Sequence, residues 1–316
     1  IAYDGYGERK ADIVVIGAGG AGMSAAIQAV QNGATNVVIV EKTGMAGGNT
    51  TRSTGGLNAS ETTFQDRDAI EDSNQLFIDD TMKGGKNIND LSLVTYMAEN
   101  SAEALYWAND LGADLTVVGL FGGASVKRIH RPSDTSAVGP VLVKTLLNQV
   151  EKLNIPVLYN TKAEEILAKD GKVSGVKVTD ANGTYTINCK AVIVATGGAS
   201  YPVTGSTGDG YELAKQAGHS IVDLKPSLVP LVCHEGFCMD LQGLSLRNVE
   251  ITVLNTENYK EVYKDFGEML FTPYGLTGPM ILSMSPFAQK GDSIVLDLKP
   301  ALDEKQLDRR LLSDFD

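Results

Sequence analysis

The sequence predicts an α/β chain, and three features carry that expectation. A βαβ run is complete by residue 41, two tight-hairpin signals stand at Asp170-Gly171 and Asn182-Gly183, and after Leu224 the texture changes to short strands joined by Pro- and Gly-containing loops. In chain order, an apolar strand over residues 12–16 runs directly into Gly17-Ala18-Gly19-Gly20-Ala21-Gly22 and an Ala-rich helix over 23–31, which Asn32-Gly33 closes. A second, β-branched strand over 36–40 ends at Glu41. Residues 62–112 turn helical, with Leu91, Val94, Met97, Ala102, Leu105 and Tyr106 marking an apolar face. An amphipathic helix over 138–153 leads to a strand over 155–159. The runs 163–167, 173–178 and 184–188 make an antiparallel meander around the two hairpins, and 191–195 is a continuous apolar strand returning to the parallel sheet. Beyond it lie strands over 249–254 and 293–298 and a charged helix over 303–316. The expected architecture is a Rossmann-type nucleotide-binding domain over 1–61 and 130–223, a helical cap over 62–129, and a β-rich, substrate-side lobe over 224–316 that stops without an obvious domain end.

Composition narrows the function. Hydrophobic content of 43% and charged content of 21% over 316 residues suit a globular chain with a substantial core. With 27 basic against 39 acidic residues, net −12, neither nucleic acid nor an anionic membrane surface is the expected partner. No apolar run approaches the roughly 20 residues of a bilayer span, and the polar start, residues 1–10, lacks a signal-like core. Three cysteines are too few for a disulfide framework, so a reducing compartment, the cytoplasm, is favoured. Cys233-His234 with Cys238 fits no zinc spacing and lacks a fourth ligand, so no metal is expected.

Gly17, Gly19 and Gly22 form the dinucleotide fingerprint. The first glycine permits the turn, the second lets backbone approach a pyrophosphate, and the third lets helix and strand pack closely. The pyrophosphate then meets free N–H groups and the positive end of the helix dipole. Glu41, nineteen positions after Gly22, is placed to accept hydrogen bonds from a ribose diol and to disfavour a 2′-phosphate. Glu41-Lys42 is followed by a second run, from Gly44 through Gly47, Gly48, Asn49 and Thr50 to Ser53-Thr54-Gly55-Gly56-Leu57-Asn58, of glycines with hydroxyl and amide residues and no hydrophobic period. NAD needs no such loop. FAD, long and extended, needs backbone contact along ribityl and flavin, so non-covalent FAD is the expected cofactor.

On these motifs, residues 11–198 resemble the flavin domain of flavocytochrome c and the related soluble fumarate and urocanate reductases. The segments that carry the resemblance are Val15-Ile16-Gly17-Ala18-Gly19-Gly20-Ala21-Gly22, Glu41-Lys42, Gly47-Gly48-Asn49-Thr50, Ser53-Thr54-Gly55-Gly56-Leu57-Asn58-Ala59, His130-Arg131-Pro132 and Ala195-Thr196-Gly197-Gly198. The resemblance implies FAD contacts at Ala21, Glu41, Asn49, Thr50, Gly55, Gly56 and the meander residue Ala163, with Asp209 of Thr207-Gly208-Asp209-Gly210 nearby. With the fingerprint these make the expected cofactor set: Gly17, Ala18, Gly19, Ala21, Gly22, Glu41, Lys42, Gly48, Asn49, Thr50, Gly55, Gly56, Ala163, Thr196, Gly197 and Asp209. It also implies an oxidoreductase that passes hydride through flavin N5 to a small unsaturated carboxylate, served by an electron-donor domain or protein.

From about residue 195 the resemblance changes. Such reductases should continue with a substrate-binding His, a Glu and Arg pair and a proton-delivering Arg, and this chain shows no such segment. Instead residues 198–210, Lys225-Pro226-Ser227-Leu228-Val229-Pro230-Leu231, Leu241-Gln242-Gly243-Leu244-Ser245 and residues 267–279 resemble a bacterial flavoprotein family known as aminoacetone oxidase or NAD(P)/FAD-dependent oxidoreductase. That family implies an amine- or NAD(P)H-oxidising activity. The two resemblances meet over 195–205, the expectation for a hybrid, natural or engineered. Both families close with a Gly-rich helix start near the flavin pyrimidine, and no such motif precedes residue 316, so an FAD-binding hybrid or fragment without turnover is a third expectation. Arg52, Arg128 and Arg131 are candidates to grip a carboxylate, Arg131 foremost through its His130-Arg131-Pro132 motif. His130, His219 and His234 are weak acid–base candidates, and Tyr201 and Tyr274 weak flavin-lining ones.

Overall fold

The computed structural model describes residues 2–3 and 9–315. The polar start apart from these, and residue 316 at the end of the last expected helix, lie outside the described residues. Two compact units divide the chain, the first ending at Ile221 and the second beginning at Val222.

The first unit is organised by a four-stranded parallel sheet. Ile13–Ile16 lies between Ala191–Val194 and Val37–Val40, and Val157–Leu158 pairs the far side of Val37–Val40. Alternation decides what each face buries. Val15 and Ile39 pack on one side with Met23, Ala26 and Ile27 of the helix Gly20–Gln31 and with Val143, Leu146 and Val150 of the helix Val138–Lys152. Val14, Ile16, Val38 and Val40 pack on the other side with Val176, Val178 and Ile187 of the meander. Both faces are covered at Ile13–Ile16 and Val37–Val40, which is why these two strands read as unbroken apolar runs, whereas Ala191–Val194 is exposed at both ends. The meander itself is Lys162–Lys169, Lys172–Asp180 and Gly183–Asn188 in antiparallel order. Its first hairpin turns through Asp170 and Gly171, at φ +52° and +72°, two positive φ values of the kind that tight hairpins require.

Between residues 62 and 129 the chain is helical only in part. Four helices, Thr63–Arg67, Asn74–Gly84, Leu91–Glu99 and Ser101–Asp110, are followed by a strand, Leu115–Gly119. That strand pairs with Ile129–Pro132, which in turn pairs with Leu57–Asn58. Thr116, Val117 and Val118 favour the extended state through their branched Cβ, and the pairing partner supplies the rest.

The second unit is a five-stranded antiparallel sheet in the order Leu231–Val232, Gly275–Thr277, Glu261–Thr272, Ser245–Leu254 and Ser293–Asp297. Val249, Ile251, Val253, Met269 and Phe271 form its core with Met280, Ile281 and Met284 of the helix Pro279–Met284. The helix Glu304–Phe315 ends the described chain. Among the described residues no helix is long and apolar enough to cross a membrane.

Candidate functional site: a cleft at the ends of the parallel strands

The turn after the first strand shows three different uses of glycine. Gly17 has φ +108°, and a Cβ there would stand 2.4 Å from the Ala195 carbonyl oxygen. At Gly22 a Cβ would stand 1.9 Å from the Gly17 carbonyl oxygen, so helix and strand touch only because it is absent. At Gly19 the nearest atom to a Cβ would be the Gly47 carbonyl oxygen at 3.9 Å, so this position faces open space. The helix that follows has no side-chain cap and no acidic residue in its first turn. The Gly20 N–H donates to Thr50 Oγ1 at 3.1 Å. The next two N–H groups, on Ala21 and Gly22, have no acceptor within the helix and remain for a ligand anion.

Glu41 anchors the second wall. Its Oε2 accepts the Ala18 N–H at 2.8 Å, and its Oε1 accepts the Thr43 N–H at 2.9 Å and the Thr43 hydroxyl at 2.8 Å. Next to it Lys42 Nζ lies 2.7 Å from Asp209 Oδ2 and 2.5 Å from Thr207 Oγ1. Burial works against the Asp209 charge, but hydrogen bonds from Lys42 and Thr207 outweigh it and hold the carboxyl below its ordinary value. The glycine-rich loop closes over the helix start: the Gly47 N–H donates to the Ala18 carbonyl at 2.8 Å, and Gly48–Arg52 winds as a short 3₁₀ turn. Asn49 reaches the loop beyond the last parallel strand, donating to the Ser200 carbonyl at 3.3 Å and accepting from Thr204 Oγ1 at 2.5 Å.

These groups line one cleft of ≈ 200 Å³. Whole ligand pockets span about 300–1,000 Å³, so only part of a molecule as long as FAD is enclosed here. Of the residues expected from sequence, Gly17, Gly19, Ala21, Glu41, Lys42, Gly48, Asn49, Thr50, Ala163, Thr196, Gly197 and Asp209 line it. Ala18 and Gly22 stand behind the wall, the first through its N–H to Glu41, the second by packing on Gly17. Gly55 and Gly56 are not in the cleft. A Cβ on Gly56 would stand 2.5 Å from the His130 carbonyl oxygen, so this glycine allows two strands to approach. Thr161, Lys162, Thr204, Gly205 and Ser206 line the cleft without having been singled out from sequence. The alternation of glycine with hydroxyl residues over 204–208 was the available signal, of the same kind as in the 44–58 run.

The remaining candidates separate clearly. Arg128 is 2% exposed and already holds two carboxylates of its own chain, Asp72 at 2.8 and 3.0 Å and Asp80 at 2.6 Å. It therefore has no free fork for a substrate. His130 is fully buried, with Nδ1 3.0 Å from the Arg128 carbonyl and Nε2 2.9 Å from Thr62 Oγ1. A carbonyl only accepts, so Nδ1 carries the proton and Nε2 accepts the threonine hydroxyl. Burial lowers its pKa, and this neutral, doubly bonded ring is a structural group. Arg131, half-buried on Ile129–Pro132, keeps a buried Nε with no partner. His219, His234, Tyr201 and Tyr274 are exposed, and Arg52 lies over the Tyr201 ring at 6.0 Å. Among the described residues no cluster can hold a metal ion.

Open space over Gly19 and Gly48, where a Cβ would meet nothing closer than 3.9 and 3.8 Å, together with the two free helix N–H groups, fits a pyrophosphate laid along backbone. Comparison with known proteins decides the family: the FAD binding domain matches residues 12–235. The chain belongs to the FAD binding domain family. Its cofactor is FAD. The match runs past the 195–205 stretch where the two resemblances meet in the sequence, and a second one, to the HI0933-like protein barrel and H2TH domain, covers residues 225–316. A cytochrome-type fumarate reductase of Shewanella frigidimarina is 41% identical over 234 residues, covering 68% of this chain and 41% of that protein. A urocanate reductase of Eggerthella lenta is 36% identical over 239 residues, covering 68% of this chain and 39% of that protein. The open conformation of a flavocytochrome c3 fumarate reductase superposes with a TM-score of 0.65 at 32% identity, over 77% of this chain and 48% of that one. The chain thus spans about two fifths of the length of the curated relatives it matches.

Proposed function

We propose that this chain is the flavin-binding part of a two-electron oxidoreductase that reduces the double bond of a small unsaturated carboxylate. The observation that carries this is the cleft itself, in which a ribose acceptor, an uncapped helix start and a backbone-lined loop follow one another along a single path. Glu41 would take the ribose, the Ala21 and Gly22 N–H groups the pyrophosphate, Ala163 the adenine edge, and Gly48, Asn49 and Thr50 the ribityl side. Lys42, paired with Asp209, keeps the loop over 205–209 against the wall instead of offering a second charge to the ligand. The chemistry that FAD supplies when bound is hydride transfer through N5. For the substrate carboxylate, Arg131 is the candidate, because its buried Nε lacks a partner while Arg128 is spent on Asp72 and Asp80. The carboxylate class rests on likeness to the fumarate and urocanate reductases, and a donor domain or protein would return the electrons.

The match of residues 225–316 to the HI0933-like domain favours a second reading, an amine- or NAD(P)H-oxidising flavoprotein. One experiment separates them. The purified chain is loaded with FAD, bleached with dithionite, and mixed anaerobically with fumarate or exposed to oxygen. Recovery of the flavin absorbance with fumarate supports the first reading. Recovery with oxygen alone supports the second, and a flavin that neither reoxidises leaves an FAD-binding chain without turnover.

A further inference from the structure

The sequence motif left without a role is Cys233-His234 with Cys238, which resembles a metal site but holds none of its geometry. Both cysteines are free thiols, both line one cavity of ≈ 1170 Å³ in the second unit, and both belong to the same apolar cluster, around Met269 and Phe271. Cys233 follows the strand Leu231–Val232, where its N–H donates to the Tyr274 carbonyl at 2.9 Å. Cys238 lies in the short helix Phe237–Asp240 and is 2% exposed. The two thiols act on one another: burial first, then the charge of Cys238 and a hydrogen bond that the Cys233 thiol donates to it, push the Cys233 thiol up to about 11. Cys189 is buried in the first unit, in a different apolar cluster.

We propose that Cys233 and Cys238 form a dithiol that low-molecular-weight disulfides oxidise to an internal disulfide. Half-buried Cys233 is the entering group and Cys238 the resolving one. The Cys233 thiolate attacks one sulfur of the small disulfide, forming a mixed disulfide and expelling one small thiolate. The Cys238 thiolate then attacks Cys233 Sγ, closing the bond between the cysteines and expelling the second. Two protein thiols are oxidised, one small disulfide is reduced to two thiols, and the protons from the cysteines pass to the departing thiolates. The raised Cys233 pKa makes the dithiol sluggish at neutral pH, so it persists reduced until an oxidising disulfide accumulates. The closed ring spans only His234–Phe237, so its effect is to lock this edge of the cavity and not to stabilise the whole unit.

The full chain is incubated with oxidised glutathione at about pH 9, where more of Cys233 is thiolate than at neutrality. Intact mass is then read before and after alkylation in denaturant. The expected result is a fall of about 2 Da before alkylation and a drop from three alkylated cysteines to one, with the link mapped between Cys233 and Cys238. Three alkylated cysteines, or a glutathionyl group that stays on Cys233 while Cys238 remains free, would overturn the proposal. In Cys238→Ser the mixed disulfide should accumulate on Cys233 and be released by dithiothreitol. A variant that still loses two thiols would assign the bond to Cys189 and overturn the pairing.

Discussion

Replacing Glu41 by alanine tests whether the cleft is a ribose site or only a well-tied loop. The carboxylate has about four lone-pair positions, and the Ala18 N–H, the Thr43 N–H and the Thr43 hydroxyl use three of them. The position left, on Oε2, is the one a ribose hydroxyl would take. Loss of a hydrogen bond to a charged acceptor costs about 1.5–3 kcal/mol, so the FAD dissociation constant of Glu41→Ala should rise about 10- to 150-fold. A separate loss falls on the fold. Ala18 is fully buried, and its orphaned N–H should cost about 1–3 kcal/mol of stability in the absence of cofactor. Two measurements keep the effects apart: titration of FAD into the apo chain by quenching of flavin fluorescence, and urea unfolding of the apo chain. If stability falls while the dissociation constant stays within about twofold of the parent, Glu41 holds the loop and does not touch the ribose.

Three further outcomes are expected. Gly19→Val should abolish FAD binding while the chain stays folded by circular dichroism, because its Cβ meets only Gly47 at 3.9 Å, whereas Gly22→Ala should unfold the first unit, its Cβ colliding with Gly17 at 1.9 Å. Arg128→Met should cost about 3–5 kcal/mol in urea unfolding by stranding the buried Asp72 carboxylate and the partly buried Asp80 one, and a loss under about 1 kcal/mol would show that the pair contributes as little as a surface one. Burial depresses the His130 pKa in the folded state, so its contribution to stability is complete above the ordinary value of 6.5 and drains away as pH falls from there through the lowered folded value. His130→Asn should flatten that part of the curve of urea midpoint against pH.

What the sequence disclosed follows from how each element is stabilised. The first βαβ unit and the meander were legible because local patterns set them: unbroken apolar runs buried on both faces, a fingerprint turn, and hairpin turns with Asp, Asn and Gly at the bends. The strand Leu115–Gly119 was hidden because its partner, Ile129–Pro132, lies across a loop and gives no local period. The twelve-residue strand Glu261–Thr272 was hidden by exposed Glu261, Lys264 and Glu268, and by Asp265, which sits on the buried side with Tyr263, Met269 and Phe271 and accepts the Tyr263 hydroxyl at 2.6 Å. Most residues identified by motif chemistry line the one cleft, but the glycine run over 44–58 serves two purposes. Its first half lines the cleft, and its second half lets Gly56 slip beneath the His130 strand. Composition alone does not separate a glycine that admits a ligand from one that admits a neighbouring backbone.

The sheet order has a consequence in time. Ile13 pairs with Ala191, and the turn at Gly17 is packed against Ala195, so the strand Ile13–Ile16 waits for a partner made 178 positions later. At translation speeds of about 5–20 residues per second, that interval lasts roughly 9–36 s. During it the Ile13–Ile16 strand has one bare hydrogen-bonding edge, and Val14 and Ile16 lack the meander that will cover them. An edge of this kind recruits other strands indiscriminately. The nascent chain is therefore most vulnerable to mispairing before residue 195 emerges, and no FAD can protect it, because Thr196, Gly197 and Asp209 have yet to complete the cleft. Cofactor capture in this protein is an event that follows synthesis of the meander and cannot guide it.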